Sequence, residues 1–296
     1  MKRVLVNDRS LLGPDGSLLA YRVEGRGPAL LLTNGITTSN FFWSYLHDRW
    51  SPKHTVINWD LKGHGRSAPA RSPEAASITA LADDLLRVLD ASGQRRATLV
   101  GFSMGCQVSL EAYRRAPDRV AALVLLLGPA GRVFDTALGP LGKLLHLGIE
   151  KMSPRIFNLS LRSMQRVVAS PIAYRLGRGL RLLGPAASRA DVQRFIDHFV
   201  RDIDPATLSA MALAAQAHSA ADLLPRIEVP TLIVAGDNDV FAPGPRVGVH
   251  LHDQIPASEL LRLPYGTHTS LFEHHAEIGA AVDDFLARRL VPANPT

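Results

Sequence analysis

Cysteine is nearly absent from this sequence: Cys106 stands alone among 296 residues. A single thiol forms no internal disulfide, which removes the small cross-linked secreted scaffolds from consideration. Lysine is scarce too, with five among 33 cationic residues, so the positive charge rests on arginine. No apolar run approaches the roughly 20 residues that cross a bilayer. The longest, Val120 to Leu127, has the length of a buried strand. The first residues, Met1-Lys2-Arg3-Val4-Leu5-Val6-Asn7-Asp8, begin basic but lack the apolar stretch of a secretion signal. These absences make a cytoplasmic location the expectation. Hydrophobic residues make up 46% of the chain, enough for a large core and too many for a disordered one.

Against that background, Val100-Gly101-Phe102-Ser103-Met104-Gly105 stands out. The serine sits between two glycines, after the apolar run Ala97 to Val100 and before a helical pattern. A nucleophile at a strand-to-helix turn needs close backbone approach at its flanks, which glycine permits. The Met104 N–H would then lie at a helix N-terminus, where developing negative charge is stabilised. An ordinary loop serine is the bland alternative, and an acid and a histidine in the right order decide against it. Both follow. The buried-strand pattern Pro230 to Ala235 runs into Gly236-Asp237-Asn238-Asp239, which offers two carboxylates, and the strand pattern Leu260 to Leu263 leads to Gly266-Thr267-His268. The order serine, aspartate, histidine is one of the known arrangements of such a triad.

The rest of the chain is organised around these segments. Val4-Leu5-Val6 and Ser17 to Val23 read as an opening antiparallel pair around the turn Gly13-Pro14-Asp15-Gly16. Apolar strands follow at Ala29 to Leu32, His54 to Trp59, Ala97 to Val100 and Val120 to Leu127, of the kind that a parallel sheet covers on both faces. Helical patterns at Asn40 to Trp50, Ile78 to Ala91 and Met104 to Arg115 separate them, and the alternation resumes after Pro230 with a helix near Arg246 to His252 and a last one from Glu273 to Arg289. The fold class is therefore α/β, a doubly wound and mostly parallel sheet, with eight strands expected. Between Gly128 and Glu228 the alternation stops. Helix-period stretches at Leu138 to Met152, Ile156 to Val168, Ile172 to Leu183, Ala190 to Val200 and Ala206 to Ala221 read as an all-helical insertion. The expected division is a core of residues 1–128 and 229–296 and a cap of residues 129–228.

Four motifs together resemble the α/β-hydrolase fold superfamily, in its cap-bearing group of esterases, lipases and thioesterases. They are Gly101 to Gly105, Gly236 to Asp239, Gly266 to His268, and Asp60-Leu61-Lys62-Gly63-His64-Gly65-Arg66-Ser67, which is similar to the family's D-x-x-G-x-G-x-S loop. The resemblance implies Ser103 as nucleophile, His268 as general base and Asp239 as the acid that orients it. Asp237 is the rival acid, passed over because in similar sequences the acid falls three residues after the glycine. A serine rather than an aspartate at 103 argues against a dehalogenase or epoxide hydrolase. The resemblance also places the oxyanion donors at the Met104 and Ile36 amides. The family usually has His-Gly where this chain has Asn34-Gly35. His64 reads as structural, Phe41, Phe42 and Trp43 as core, and Cys106 as a small packed residue.

This implies hydrolysis of a carboxylic ester with an apolar acyl or alcohol group, through an acyl-enzyme, without cofactor or metal. Acyl transfer, thioester, lactone and carbon–carbon bond hydrolysis use the same residues. A haloperoxidase-like side activity and a non-catalytic small-molecule-binding homologue are further alternatives. Residues 129–228 hold 13 cations against 8 carboxylates, and residues 151–181 hold seven cations and none. Arg162, Arg166, Arg175, Arg178 and Arg181 form a basic stripe. It reads as a solvated face, or as one that weakly attracts a membrane surface or an anionic substrate. No recognition motif accompanies the charge, so nucleic acid is not an expected partner.

Overall fold

The computed structural model describes residues 5–136, 154–168, 173–180 and 182–290. The helix expected over Leu138 to Met152, and Arg181, lie outside them. Eight strands form one sheet: β1 (Arg9–Leu12), β2 (Leu18–Glu24), β3 (Ala29–Thr33), β4 (Thr55–Trp59), β5 (Ala97–Phe102), β6 (Val120–Leu126), β7 (Thr231–Gly236) and β8 (Ser258–Leu263). Their spatial order is β1-β2-β4-β3-β5-β6-β7-β8, with β2 antiparallel to both its neighbours and the other pairs parallel.

The continuous apolar runs are explained by burial on two faces. Along β3, Leu31 points into one core layer with Ile57, Trp59, Leu99, Leu123 and Leu125. Leu30 and Leu32 point into the other with Val56, Val100, Val124 and Leu126. Period-2 alternation therefore persists, but both phases are apolar. Each such side chain contributes about 1.5–3 kcal/mol by leaving water. Helices α1 (Ser44–Trp50), α2 (Ile78–Ala91) and α3 (Met104–Arg115) follow β3, β4 and β5. The α2 start is set by Ser77, whose hydroxyl accepts the Ala80 N–H as an N-cap.

Two expectations need correction. Leu5 to Asp8 do not form a strand; the first strand is Arg9–Leu12, next to the turn, and Val4 lies outside the described residues. The turn decides this. Gly13 N–H donates to Ser17 O at 2.8 Å, and Asp15 accepts the Ser17 hydroxyl at 2.6 Å, so Leu12 pairs with Leu18 and Arg9 with Tyr21. The helix expected from Asn40 to Trp50 is a 3₁₀ turn over Asn40–Trp43 followed by α1.

Between β6 and β7 come α4 (Val133–Thr136), α5 (Pro154–Val168), α6 (Ala173–Gly179), α7 (Arg189–Arg201) and α8 (Pro205–Ala217). Among the described residues this stretch holds no strand, only a single bridge between Ile203 and His64. It is tied to the sheet's loops by main-chain bonds: Asp204 N–H to Gly63 O (2.8 Å), Gly65 N–H to Asp202 O (2.9 Å) and Ala220 N–H to Ala130 O (2.8 Å). After β7 come α9 (Gly248–Gln254), then α10 (Ser270–Glu273) and α11 (His275–Arg289) beyond β8.

Candidate active site

Ser103 is the single residue between β5 and α3, with φ 53° and ψ −121°. A non-glycine residue held there costs about 1–3 kcal/mol, and the surroundings must enforce it. The flanking glycines allow it. A Cβ on Gly101 would collide with the Gly105 carbonyl, and a Cβ on Gly105 with the Thr33 carbonyl. The Ser103 N–H donates to Leu126 O at 2.9 Å, fixing the turn to β6. Met104 opens α3, so its amide is one of the first-turn donors without an intrahelical acceptor.

His268 lies on the loop beyond β8. Its Nε2 stands 2.9 Å from Ser103 Oγ, and its Nδ1 2.7 Å from Asp239 Oδ2. The Asp239 side chain is fully buried, while that of His268 is 18% exposed. The other Asp239 oxygen, Oδ1, accepts the Phe241 and Ala242 amides at 2.8 and 3.0 Å. These two bonds hold the carboxylate toward the imidazole. Phe102 and Phe241 pack on His268, each with ring centroids 5.0 Å away. The rival Asp237 points elsewhere and pairs with Arg262 Nη2 at 2.8 Å.

The loop after β3 approaches from the other side. The position of a Cβ on Gly35 would fall 3.0 Å from Ser103 Cβ, so this loop lies directly against the serine. Asn34 explains its own presence. Its Nδ2 donates to Trp59 O at 2.8 Å, and its Oδ1 accepts the Trp43 indole N–H at 2.8 Å. It is a buried brace between β4 and the 3₁₀ turn. Thr38 Oγ1 accepts the Gly35 N–H at 2.9 Å. Phe42 and Trp43 are buried, as expected of core residues, and Phe41 is half-buried against Phe42, Phe272 and His198.

Sequence reasoning passed over the link that His64 makes. This fully buried imidazole has Nε2 2.7 Å from Ile36 O and Nδ1 2.9 Å from Lys62 O. Burial pushes its pKa down, which leaves a neutral ring with one N–H for two carbonyls. Either tautomer directs its N–H at a backbone carbonyl, Nε2 at Ile36 O or Nδ1 at Lys62 O. Asp60 supports the same loop: Arg66 N–H donates to Oδ2 at 3.1 Å, Ser67 Oγ–H to the Asp60 carbonyl at 2.6 Å, and burial raises the Asp60 pKa to about 6. His198 is buried, with Nδ1 3.3 Å from Ser39 Oγ and 3.2 Å from Asp202 Oδ2. Burial and the neighbouring His64 push its pKa down to about 4. Cys106 is buried, its thiol donates to Gly101 O at 3.3 Å, and burial pushes its pKa up to about 12. It is a packed residue without thiolate character.

A serine on a sharp β5–α3 turn, with a histidine and a carboxylate from the ends of two later strands, defines a hydrolase-type arrangement on an α/β sheet. The chain belongs to the alpha/beta hydrolase fold family, whose model matches residues 28–275. RutD of Variovorax paradoxus (strain S110), provisionally named a carbamate hydrolase, is 31% identical over 291 residues, spanning 94% of this chain and 99% of that one. A solved hydrolase from Pseudomonas aeruginosa PA01 is 26% identical, with a TM-score of 0.74 over 94% of this chain and 97% of its own. An esterase from Exiguobacterium antarcticum superposes equally well, with a TM-score of 0.74 over 94% and 98% of the two chains, and at 18% identity shares the fold.

Proposed function

We propose that this chain is a serine hydrolase that cleaves a carboxylic ester through an acyl-enzyme, with residues 129–228 as a cap over the core. The observation that carries the reading is the unbroken line from Ser103 Oγ through His268 to Asp239, at 2.9 and 2.7 Å. Ser103 Oγ attacks the ester carbonyl carbon as its proton passes to His268 Nε2. Asp239 holds the imidazole so that Nε2 faces the serine, and stabilises the imidazolium that forms. The negative charge gathers on the former carbonyl oxygen, toward the Met104 and Ile36 amides. Collapse of the intermediate expels the alcohol, which takes the proton from Nε2. Water then attacks the acyl-enzyme, its proton goes to Nε2, and the acid leaves as Ser103 regains its hydrogen. The half-buried Phe241 packs on His268 beside this line, an apolar surface that suits an apolar acyl or alcohol group.

A fluorophosphonate probe tests the nucleophile. The chain is expected to be labelled at one site, and Ser103→Ala to lose all labelling. Labelling that survives the substitution would remove Ser103 from the mechanism. A panel of p-nitrophenyl esters from acetate to octanoate tests the substrate class, and a preference for acetate would count against an apolar acyl group. The RutD relative gives one specific ground for a second reading, attack on a carbamate carbonyl by the same residues. A carbamate and an ester of the same leaving group, compared by kcat/KM, separate the two.

His64 enters this scheme as a positioning residue, since its contact with Ile36 O helps to hold the loop that carries the Ile36 N–H. Loss of a whole oxyanion donor costs about 10²–10³ in kcat. His64→Ala is therefore expected to lower kcat by roughly 10–100-fold, with KM little changed, because a tilted donor retains part of its effect. Steady-state kinetics checks this. A variant that loses KM alone, or nothing, would remove His64 from this role.

A further inference from the structure

We propose that the outer face of α5 and α6 docks on an anionic lipid bilayer. This surface is apart from the triad, and the inference does not depend on the ester reading. The expected arrangement for a helix on a folded core is an apolar face turned inward. Helix α5 does the reverse along one stripe. Ile156, Leu159 and Val167 recur at near-helical spacing and are exposed, Leu159 by 61%. Met164 adds to the same side, while Gln165 is the buried residue, donating to Phe199 O at 2.8 Å on the inward face. Beyond α5, Leu176 and Leu180 are also exposed, Leu180 by 64%. Elsewhere among the described residues, the large exposed apolar side chains are the cross-strand pair Leu12 and Leu18, and Val6 and Tyr265. An exposed apolar stripe along one helix, as Ile156, Leu159, Met164 and Val167 form on α5, marks an interaction surface.

The charge around it selects the occupant. Arg162, Arg166, Arg175 and Arg178 are exposed beside these apolar residues, and residues 151–181 contain no Asp or Glu. Arg162 and Arg166 lie one turn apart, at the edge of the Leu159 stripe. A second copy meeting this face would set arginine against arginine with no carboxylate from either segment. An anionic bilayer presents the complementary charge and accepts leucine and valine beneath its headgroups. The patch also reaches the loops around the triad. A cavity of about 360 Å³ is lined by Arg178, Leu183, Asn238, Tyr265 and Thr267, which places the exposed Tyr265 ring and the neighbours of Asp239 and His268 at the same edge. Docking here would bring the bilayer to the threshold of the site.

The test is co-sedimentation of the full chain with vesicles of phosphatidylcholine alone, or of phosphatidylcholine with 30% phosphatidylglycerol (roughly the anionic content that gives a strong negative surface). Binding is expected to the second and at least about 10-fold weaker to the first, and to weaken again in 0.5 M salt as the charges are screened. Two variants attack the surface separately: Leu159→Glu with Val167→Glu, and Arg162→Glu with Arg166→Glu. Each is expected to lower the bound fraction at least about 10-fold while leaving the melting temperature and fluorophosphonate labelling unchanged, because the substituted side chains are exposed. No binding to the anionic vesicles, equal binding to both vesicles, or binding untouched by both variants would overturn the proposal. So would light scattering that shows a dimer abolished by the Leu159/Val167 variant, which would assign the face to a second copy.

Discussion

Ser103→Ala is expected to lower kcat for an activated ester by about 10⁶-fold, and His268→Ala to lower it about as much, with the double variant no worse than either alone. The reason is the single hydrogen-bonded line they share. Ser103 Oγ is 2.9 Å from His268 Nε2, so each depends on the other for its part. Without the imidazole the hydroxyl keeps its proton, and without the hydroxyl the imidazole has nothing to activate. The second substitution therefore removes a function already gone. Asp239 belongs to the same line, but its loss leaves nucleophile and base in contact, so Asp239→Asn is expected to be milder, about 10⁴-fold. Steady-state kinetics on a p-nitrophenyl ester reads all four proteins. Losses that multiply in the double variant would show that the two residues act independently, and the proposed mechanism would fall with that result.

Lys62→Met is expected to destabilise the fold by about 3–5 kcal/mol at pH 7.5, a large fraction of the stability of a typical fold. Lys62 is 1% exposed, and its ammonium lies 2.9 Å from Asp84 and 3.2 Å from Asp15, with a third contact to Ala75 O at 3.1 Å. The Asp84 side chain is wholly buried, and burial raises its pKa to about 6 even with the lysine beside it. Removing the cation strands a carboxylate that the fold already disfavours in its charged form. The sign of the pH dependence follows. A carboxyl raised above its unfolded value stabilises the fold when protonated, below about pH 4, and loses that contribution as pH rises through about 6. Without Lys62 the folded pKa climbs further. The difference between variant and parent is thus largest at pH 7.5 and smaller at pH 5. Urea unfolding at both values checks it, and a penalty independent of pH would mean that the lost stability is packing, not stranded charge.

The sheet, and the strand ends that bring Ser103, Asp239 and His268 together, were legible because their signals are local. Gly101 and Gly105 mark the turn that carries Ser103, and each of the three residues follows a recognisable strand. Asp239 rather than Asp237 rested on a resemblance; in the structure the Phe241 and Ala242 amides and His268 hold the Asp239 carboxylate, while Asp237 pairs with Arg262. The misplaced first strand shows the limit of apolar pattern alone, since Val4 to Val6 are more apolar than Arg9 to Leu12, yet the Gly13–Ser17 turn sets Arg9 to Leu12 against β2. Asn34 and His64 were opaque for a different reason. Their partners, the Trp43 ring, the Trp59 carbonyl and the Ile36 carbonyl, come from separate stretches of chain, and two of those three are main-chain atoms that leave no trace in side-chain identity.

The sealed position of Cys106 has a practical corollary. Its thiol is enclosed beneath the elbow and carries no appreciable thiolate at neutral pH. Maleimide dyes will pass the native chain by, so a cysteine introduced at Ser163, on the exposed flank of α5, would be the one attachment point. A polarity-sensitive fluorophore there would report directly on whether that helix leaves water when vesicles are added.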